Sequence, residues 1–126
     1  MKKAIKISSR KARKTLRKIR KGSTKIKAWN AFSKYIRSRD KRCVTCGSTS
    51  YLQAGHFLGG RHLSVLFDER NVHSQCYGCN VGKRGNMVEY YEFMIKKYGI
   101  KVIEELKALD RTLVQYKTQD YLELEK

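Results

Sequence analysis

All four cysteines of the chain fall between residues 43 and 79, as Cys43-x2-Cys46 and Cys76-x2-Cys79. A two-residue gap lets one tight turn aim both sulfurs at a single tetrahedral ion, and the loop between the pairs folds back to bring the second. The spacing is that of a four-thiolate zinc site. Two disulfides would need a secreted protein, whereas the N-terminus opens Met1-Lys2-Lys3 with no apolar signal segment. A redox pair would be single and set in a βαβ pattern, which the sequence lacks. Structural zinc on Cys43, Cys46, Cys76 and Cys79 is therefore expected. Gly47 would supply the positive φ that the first knuckle needs.

A metal crosslink suits the size of the chain. With 126 residues, 40% of them hydrophobic, it makes one domain with appendages and only a small core. No apolar run approaches membrane-spanning length, so a soluble, intracellular protein with reduced thiols is expected.

The net charge of +18 is unevenly spread. Residues 1–42 hold eighteen Lys or Arg against one acid, Asp40, a net +17, while residues 43–126 hold eleven against ten, a net +1. A merely solvated surface would interleave the signs, so this block points to a polyanion, with nucleic acid ahead of a membrane surface. The bland alternative is a tail that only raises solubility. The expected division is an arm, 1–22, and a domain, 23–126. Within the arm, Arg10, Arg13, Lys14, Arg17, Lys18, Arg20 and Lys21 are the expected phosphate contacts. Ile5, Ala12, Leu16 and Ile19 give it only a thin apolar stripe, with Ser8 or Ser9 as a possible cap, and Gly22 is expected to break it.

Periodicity organises the rest. Ile26, Trp29, Phe32, Tyr35 and Ile36 predict a helix from Ser23 or Thr24 to about Arg39, its aromatic side on the zinc module and Lys25, Lys27, Lys34 and Arg37 outside. Residues 51–57 predict a short strand, Gly59 and Gly60 a loop, and Phe67 to Val72 the approach to a second strand. A short helical segment follows Cys79. Residues 86–98, with Met87, Tyr90, Tyr91, Met94 and Ile95, predict a helix that Gly99 stops, and 100–109 another. The tail from Leu113 is expected to end in helix, capped by Thr118.

Three polar residues sit where a bare zinc scaffold would not require them: His56 in the first strand, Asn71 before the second knuckle and Asn80 directly after Cys79. This His, Asn, Asn order with Gly59-Gly60 between resembles the HNH nucleases. Three further stretches extend the likeness: Ala54-Gly55-His56-Phe57, Arg61-His62, and the run from Phe67 through Asp68, Asn71, His73 and Cys76 to Asn80. Together with the upstream Trp29-Asn30-Ala31-Phe32-Ser33-Lys34-Tyr35-Ile36, they resemble the phage NinG/Rap family of DNA-junction endonucleases over roughly residues 25–125.

The resemblance implies an α+β fold, a small zinc-stabilised treble-clef or HNH-like ββα-metal module flanked by helices, with a basic N-terminal helical arm. It implies a metal-dependent endonuclease of branched DNA, Holliday junctions among them, phage-encoded and acting in the host cytoplasm. His56 would be the general base, Asn71 would hold the active-site loop, and Asn80 would bind a catalytic Mg²⁺ or Mn²⁺. Many HNH nucleases carry Asp immediately before the strand His, as a second ligand, where this chain has Gly55. Asp68, His73 or His56 itself would then have to help hold the ion. His73 reads equally as a core residue, and His62 as a solvated one. Arg61 and His62, with Lys83 and Arg84, are expected near the DNA backbone. Two cuts on opposing strands would require a homodimer. Other readings are an HNH nuclease for other DNA structures, or a non-catalytic zinc module that binds nucleic acid and needs the cysteines but not His56, Asn71 and Asn80.

Overall fold

A computed structural model describes the backbone of residues 10–60 and 62–125 and the side chains of 21–60 and 62–124. The order of elements is α1 (Arg10–Asp40), β1 (Leu52–His56), α2 (Leu63–Leu66), β2 (Val72–Cys76), a single π-helical turn (Gly78–Gly82), α3 (Met87–Lys97), α4 (Ile100–Asp110) and α5 (Thr118–Glu125). It is an α+β arrangement, helices around one two-stranded antiparallel sheet. No described helix is long and apolar enough to cross a membrane.

The register pairs Leu52 with Cys76, Ala54 with Ser74 and His56 with Val72. Successive residues of a strand face opposite layers, and β2 uses both. Val72 joins a core with Ala28, Phe32 and Ile36 of α1, Leu66, Phe67 and Tyr121 of α5. His73 turns the other way, onto Tyr90 and Phe93 of α3. On that side Tyr90 and Met94 pack with Phe57, Val65, Ile103 and Leu106.

The outer edge of β2 is covered by the end of α1. Ser74 N–H donates to Asp40 Oδ2 at 2.8 Å, Arg39 donates to the carbonyls of Val72 at 2.8 Å and Glu69 at 3.0 Å, and Val44 N–H donates to Ser74 O at 2.9 Å. These bonds occupy edge groups that would otherwise invite another strand, and they fix the first knuckle against the sheet. Burial works against ionising Asp40, but the Arg39 guanidinium and the Ser74 amide outweigh it and hold the carboxyl below its usual range.

Several expectations are corrected here. Gly22 does not break the helix: α1 runs through it for 31 residues. A mid-helix glycine costs only about 1 kcal/mol, and nothing but its chain neighbours and the helix's own nearby backbone lies within 4 Å of where its Cβ would be. The buried face is set by Ala28, Phe32 and Ile36, four residues apart, with Trp29 half-buried; Ile26 and Tyr35 fall off that stripe and are exposed. Met87 and Tyr91 of α3 are likewise exposed. At α5 the Lys117 N–H is capped by Asp120 Oδ2 at 2.7 Å rather than by Thr118. Strand and helix limits otherwise fall close to those expected, with Gly47 and Gly99 both at positive φ, 83° and 87°. Ser8, Ser9 and Ile5 lie outside the described residues.

Candidate functional site

The four thiols come together as their spacing predicts. Their sulfurs all lie within 4.8 Å of one another, Cys46 and Cys76 at 3.5 Å, and none is in a disulfide. A tetrahedron with Zn–S bonds of about 2.3 Å has edges of roughly 3.8 Å, so the cluster could hold zinc with little movement. Cys43 and Cys79 are buried and Cys46 is exposed. Burial raises the Cys43 thiol, but the Thr45 hydroxyl at 3.1 Å and the amides of Cys76, Thr45 and Cys46 outweigh it and bring it down to about 6. At Cys46 the amide of Ser48 favours the thiolate, yet the neighbouring cysteine sulfurs push the thiol up to about 12. The Cys43 thiolate is thus prepared by the fold, whereas Cys46 needs the charge of an ion. Asn86 Nδ2, 3.7 Å from Cys79 Sγ, adds a donor around the sulfurs.

His56 closes β1 rather than lying in its middle. Its Nε2 is 3.1 Å from the carbonyl of Leu66. A carbonyl can only accept, so Nε2 carries a proton, and in the neutral ring Nδ1 has the lone pair. The Trp29 indole stacks on the ring, centroids 5.1 Å apart and planes 16° from parallel.

Asn71 is fully buried and fastens the segment between the strands. It accepts from Leu58 N–H at 2.8 Å and donates to the carbonyls of Leu58 and Val65, each at 3.2 Å. Leu66, which orients His56, belongs to that same segment. Asn71 thus ties Leu58 and Val65 of that segment to one another.

Asn80 lies in the π-helical turn, its Nδ2 donating to Gln53 Oε1 at 2.8 Å. A cleft of about 430 Å³ contains Asn80 and Gln53 from the sheet side and Trp29, Ser33 and Arg37 from α1. Trp29 thus touches His56 with one face and shares the cleft with Asn80. Arg37, exposed on α1, also lines the cleft.

The other candidates for an ion are occupied elsewhere. Asp68 is bound by Arg70 through two oxygens, at 3.1 and 2.9 Å, and also accepts Arg70 N–H at 2.9 Å. Although burial opposes its ionisation, these bonds hold Asp68 below the usual carboxylate range. His73 is fully buried between two tyrosines, Nδ1 at 3.1 Å from Tyr90 Oη and Nε2 at 2.8 Å from Tyr98 Oη. Tyr90 donates to Gly55 O at 2.7 Å, so it accepts from His73 Nδ1–H, and Nε2 accepts from Tyr98. Burial, with Arg39 and Lys97 adding repulsion, lowers the imidazole to about 3. Neither residue joins Asn80, and His73 takes the core role that the sequence left open.

Among the expected DNA contacts, Lys83, Arg84 and Lys21 are exposed. His62 pairs with Asp110 at 2.7 Å. Arg61 lies outside the described residues, as do the side chains of Arg10, Arg13, Lys14, Arg17, Lys18 and Arg20. Sequence reasoning missed Trp29 and Arg37 as cleft residues, assigning one to core and the other to open solvent. It also missed Gln53 and Gln75, although their period-two spacing from Gly55 and His73 puts all four on one face of the sheet.

Comparison with known proteins agrees with the family likeness. A family model described as Bacteriophage Lambda NinG protein matches residues 1–126. Proteins named Protein ninG are similar over 86 residues, 64% of this chain: 38% identical in Salmonella phage P22, 37% in Escherichia phage 933W and 36% in Escherichia phage lambda. The match covers 42%, 43% and 42% of those relatives, less than half their length. No solved structure matches the chain. With the family model covering its whole length, the chain belongs to the bacteriophage lambda NinG protein family.

Proposed function

We propose that the protein is a metal-dependent DNA endonuclease of the HNH type, acting on branched DNA in phage recombination. The observation that carries the reading is the hydrogen bond from His56 Nε2 to Leu66 O. It leaves Nδ1 as the basic nitrogen, on a ring clamped by Trp29 and a loop locked by Asn71. A zinc module that only binds nucleic acid has no need of a histidine so prepared.

His56 Nδ1 takes the proton of the attacking water. Asn71 acts as a positioning residue, since it reaches His56 only through the loop. Asn80, whose amide oxygen is a hard ligand, would hold Mg²⁺ or Mn²⁺, with Asp68 and His73 engaged by Arg70 and the tyrosines. When bound, such an ion polarises the scissile phosphate and stabilises the leaving 3′ oxygen. Arg37 contributes positive charge at the cleft, and the net +17 of residues 1–42 draws in the DNA. The preference for junctions rests on the likeness to junction endonucleases, and paired cuts would call for a homodimer.

The test is cleavage of matched four-way, three-way, flap and linear DNA with and without Mg²⁺ or Mn²⁺. Metal-dependent cutting that favours the branched substrates supports the reading. Binding to every substrate without cutting any would make the protein a zinc-containing DNA-binding module instead.

A further inference from the structure

Gln75 carries an amide that the fold leaves half used. Its side chain is wholly buried, and Nε2 donates to Gly85 O at 2.7 Å and to Thr45 Oγ1 at 3.3 Å. Those two acceptors fix which end of the amide is nitrogen. Oε1, also inaccessible, receives no hydrogen bond from any described residue. A buried carbonyl oxygen without a donor loses its hydration without replacement, a substantial loss for a core this small.

The direction of that oxygen is informative. Oε1 stands against Gly55, in the volume that a Cβ there would occupy, and Asn80 Oδ1 lies 3.0 Å from the same point. Asn80 turns its nitrogen away, toward Gln53. Two amide oxygens therefore lie close together beside Gly55, and Oε1 has no donor among the described residues, an arrangement suited to a hard cation. Gly55 is needed for it, because any side chain there would collide with Gln75.

We propose that Gln75 supplies, from the opposite strand, the ligating oxygen that residue 55 lacks, so that Gln75 Oε1 and Asn80 Oδ1 bind one divalent cation of the Mg²⁺ or Mn²⁺ class. The proposal rests on the reading of Asn80 as a ligand of the catalytic ion. Both oxygens are neutral, so the bound ion keeps its charge and several waters. Its affinity is weak in the free protein and rises when a phosphodiester oxygen replaces a water. By linkage the cation tightens DNA binding by the same factor. The competing arrangement rotates the amides of Asn80 and Gln53, so that Asn80 Nδ2 donates to Gln75 Oε1 and no cation is held.

The experiment is a Mg²⁺ titration of the zinc-loaded, ¹⁵N-labelled full chain without DNA, following the side-chain amide signals of Gln75 and Asn80. Both signals should move together with one half-saturation point, and a trace of Mn²⁺ should broaden both. Gln75→Met keeps the volume without the oxygen, and should raise the Mg²⁺ needed to shift Asn80 by about 10–100-fold. Signals that stay still, or Asn80 responding alone, would overturn the proposal. If Gln75→Met loses its zinc, the unmutated spectrum decides by itself. Cation binding by both amides in a protein that cuts no DNA would support the ion site and remove the nuclease reading. Metal-dependent cutting with Gln75 unmoved would do the reverse.

Discussion

The indole of Trp29 stacks on the imidazole of His56, so a residue of the long basic helix sets the position of the proposed base on the sheet. Trp29 is the chain's one tryptophan, and its fluorescence should therefore report on His56. Protonating the ring should quench the emission in a titration step that His56→Ala abolishes. Trp29→Leu should slow cleavage by about 10-fold or more while leaving zinc content unchanged, because a misplaced base loses its geometry. A quenching step that persists in His56→Ala would show that the stacking does not couple the two residues.

Asn71 makes three hydrogen bonds in a site from which water is excluded. Asn71→Ala would take the partner from Leu58 N–H and Leu58 O and one of two donors from Val65 O, at a cost of about 2–5 kcal/mol. Asn71→Asp keeps the acceptor for Leu58 N–H but puts an oxygen where the two carbonyls need a donor, so it should not rescue. Chemical denaturation of both variants checks this, and a rescue by Asp would mean that the donor half of the amide is unimportant.

Zinc binding should release protons. Cys43, brought down to about 6, is largely ionised at neutral pH, while Cys46, pushed up to about 12, is not. Zinc must displace the remaining protons, so its affinity should rise with pH by at least about tenfold per unit. Competition with a chromophoric chelator measures the slope. Cys46→Ser and Cys79→Ser should each lose the ion and the fold, and a folded protein after complete chelation would contradict a structural role for the cluster.

His73 should make the protein acid-sensitive. Its folded value, about 3, lies below the ordinary histidine value of 6.5, so the unfolded chain binds the extra proton. Its contribution is fully present above about pH 6.5 and is lost progressively as pH falls toward 3, on the order of a few kcal/mol in all. Above about pH 5 few carboxylates titrate, and zinc loss affects parent and variant alike. Stability between pH 5 and 6.5 should therefore fall less in His73→Gln than in the parent. Equal slopes would mean that the buried imidazole is not what titrates.

Legibility in the sequence followed the range of the interactions. The four-cysteine cluster depends on two local turns, and the spacing of Cys43, Cys46, Cys76 and Cys79 specified it. Helices α3 and α4 were clear because Gly99 at positive φ separates two apolar periods. The continuity of α1 was hidden because an exposed glycine costs little in a long helix. His73 and Asp68 looked like ligands because residue type alone does not reveal a tyrosine 17 positions away or an arginine two positions away. Gln75 was missed because Gly55 and Asn80 come beside it only once the strands pair in register.

The central claim, that His56 is a base and Asn80 an ion ligand, is tested most directly by cleavage of four-way DNA junctions by His56→Ala and Asn80→Ala across a Mg²⁺ and Mn²⁺ titration. Both variants should keep zinc and DNA binding. His56→Ala should lose about 10²-fold to 10⁴-fold in rate at every metal concentration, whereas Asn80→Ala should recover partly as the metal rises. Wild-type rates in both variants would contradict the account.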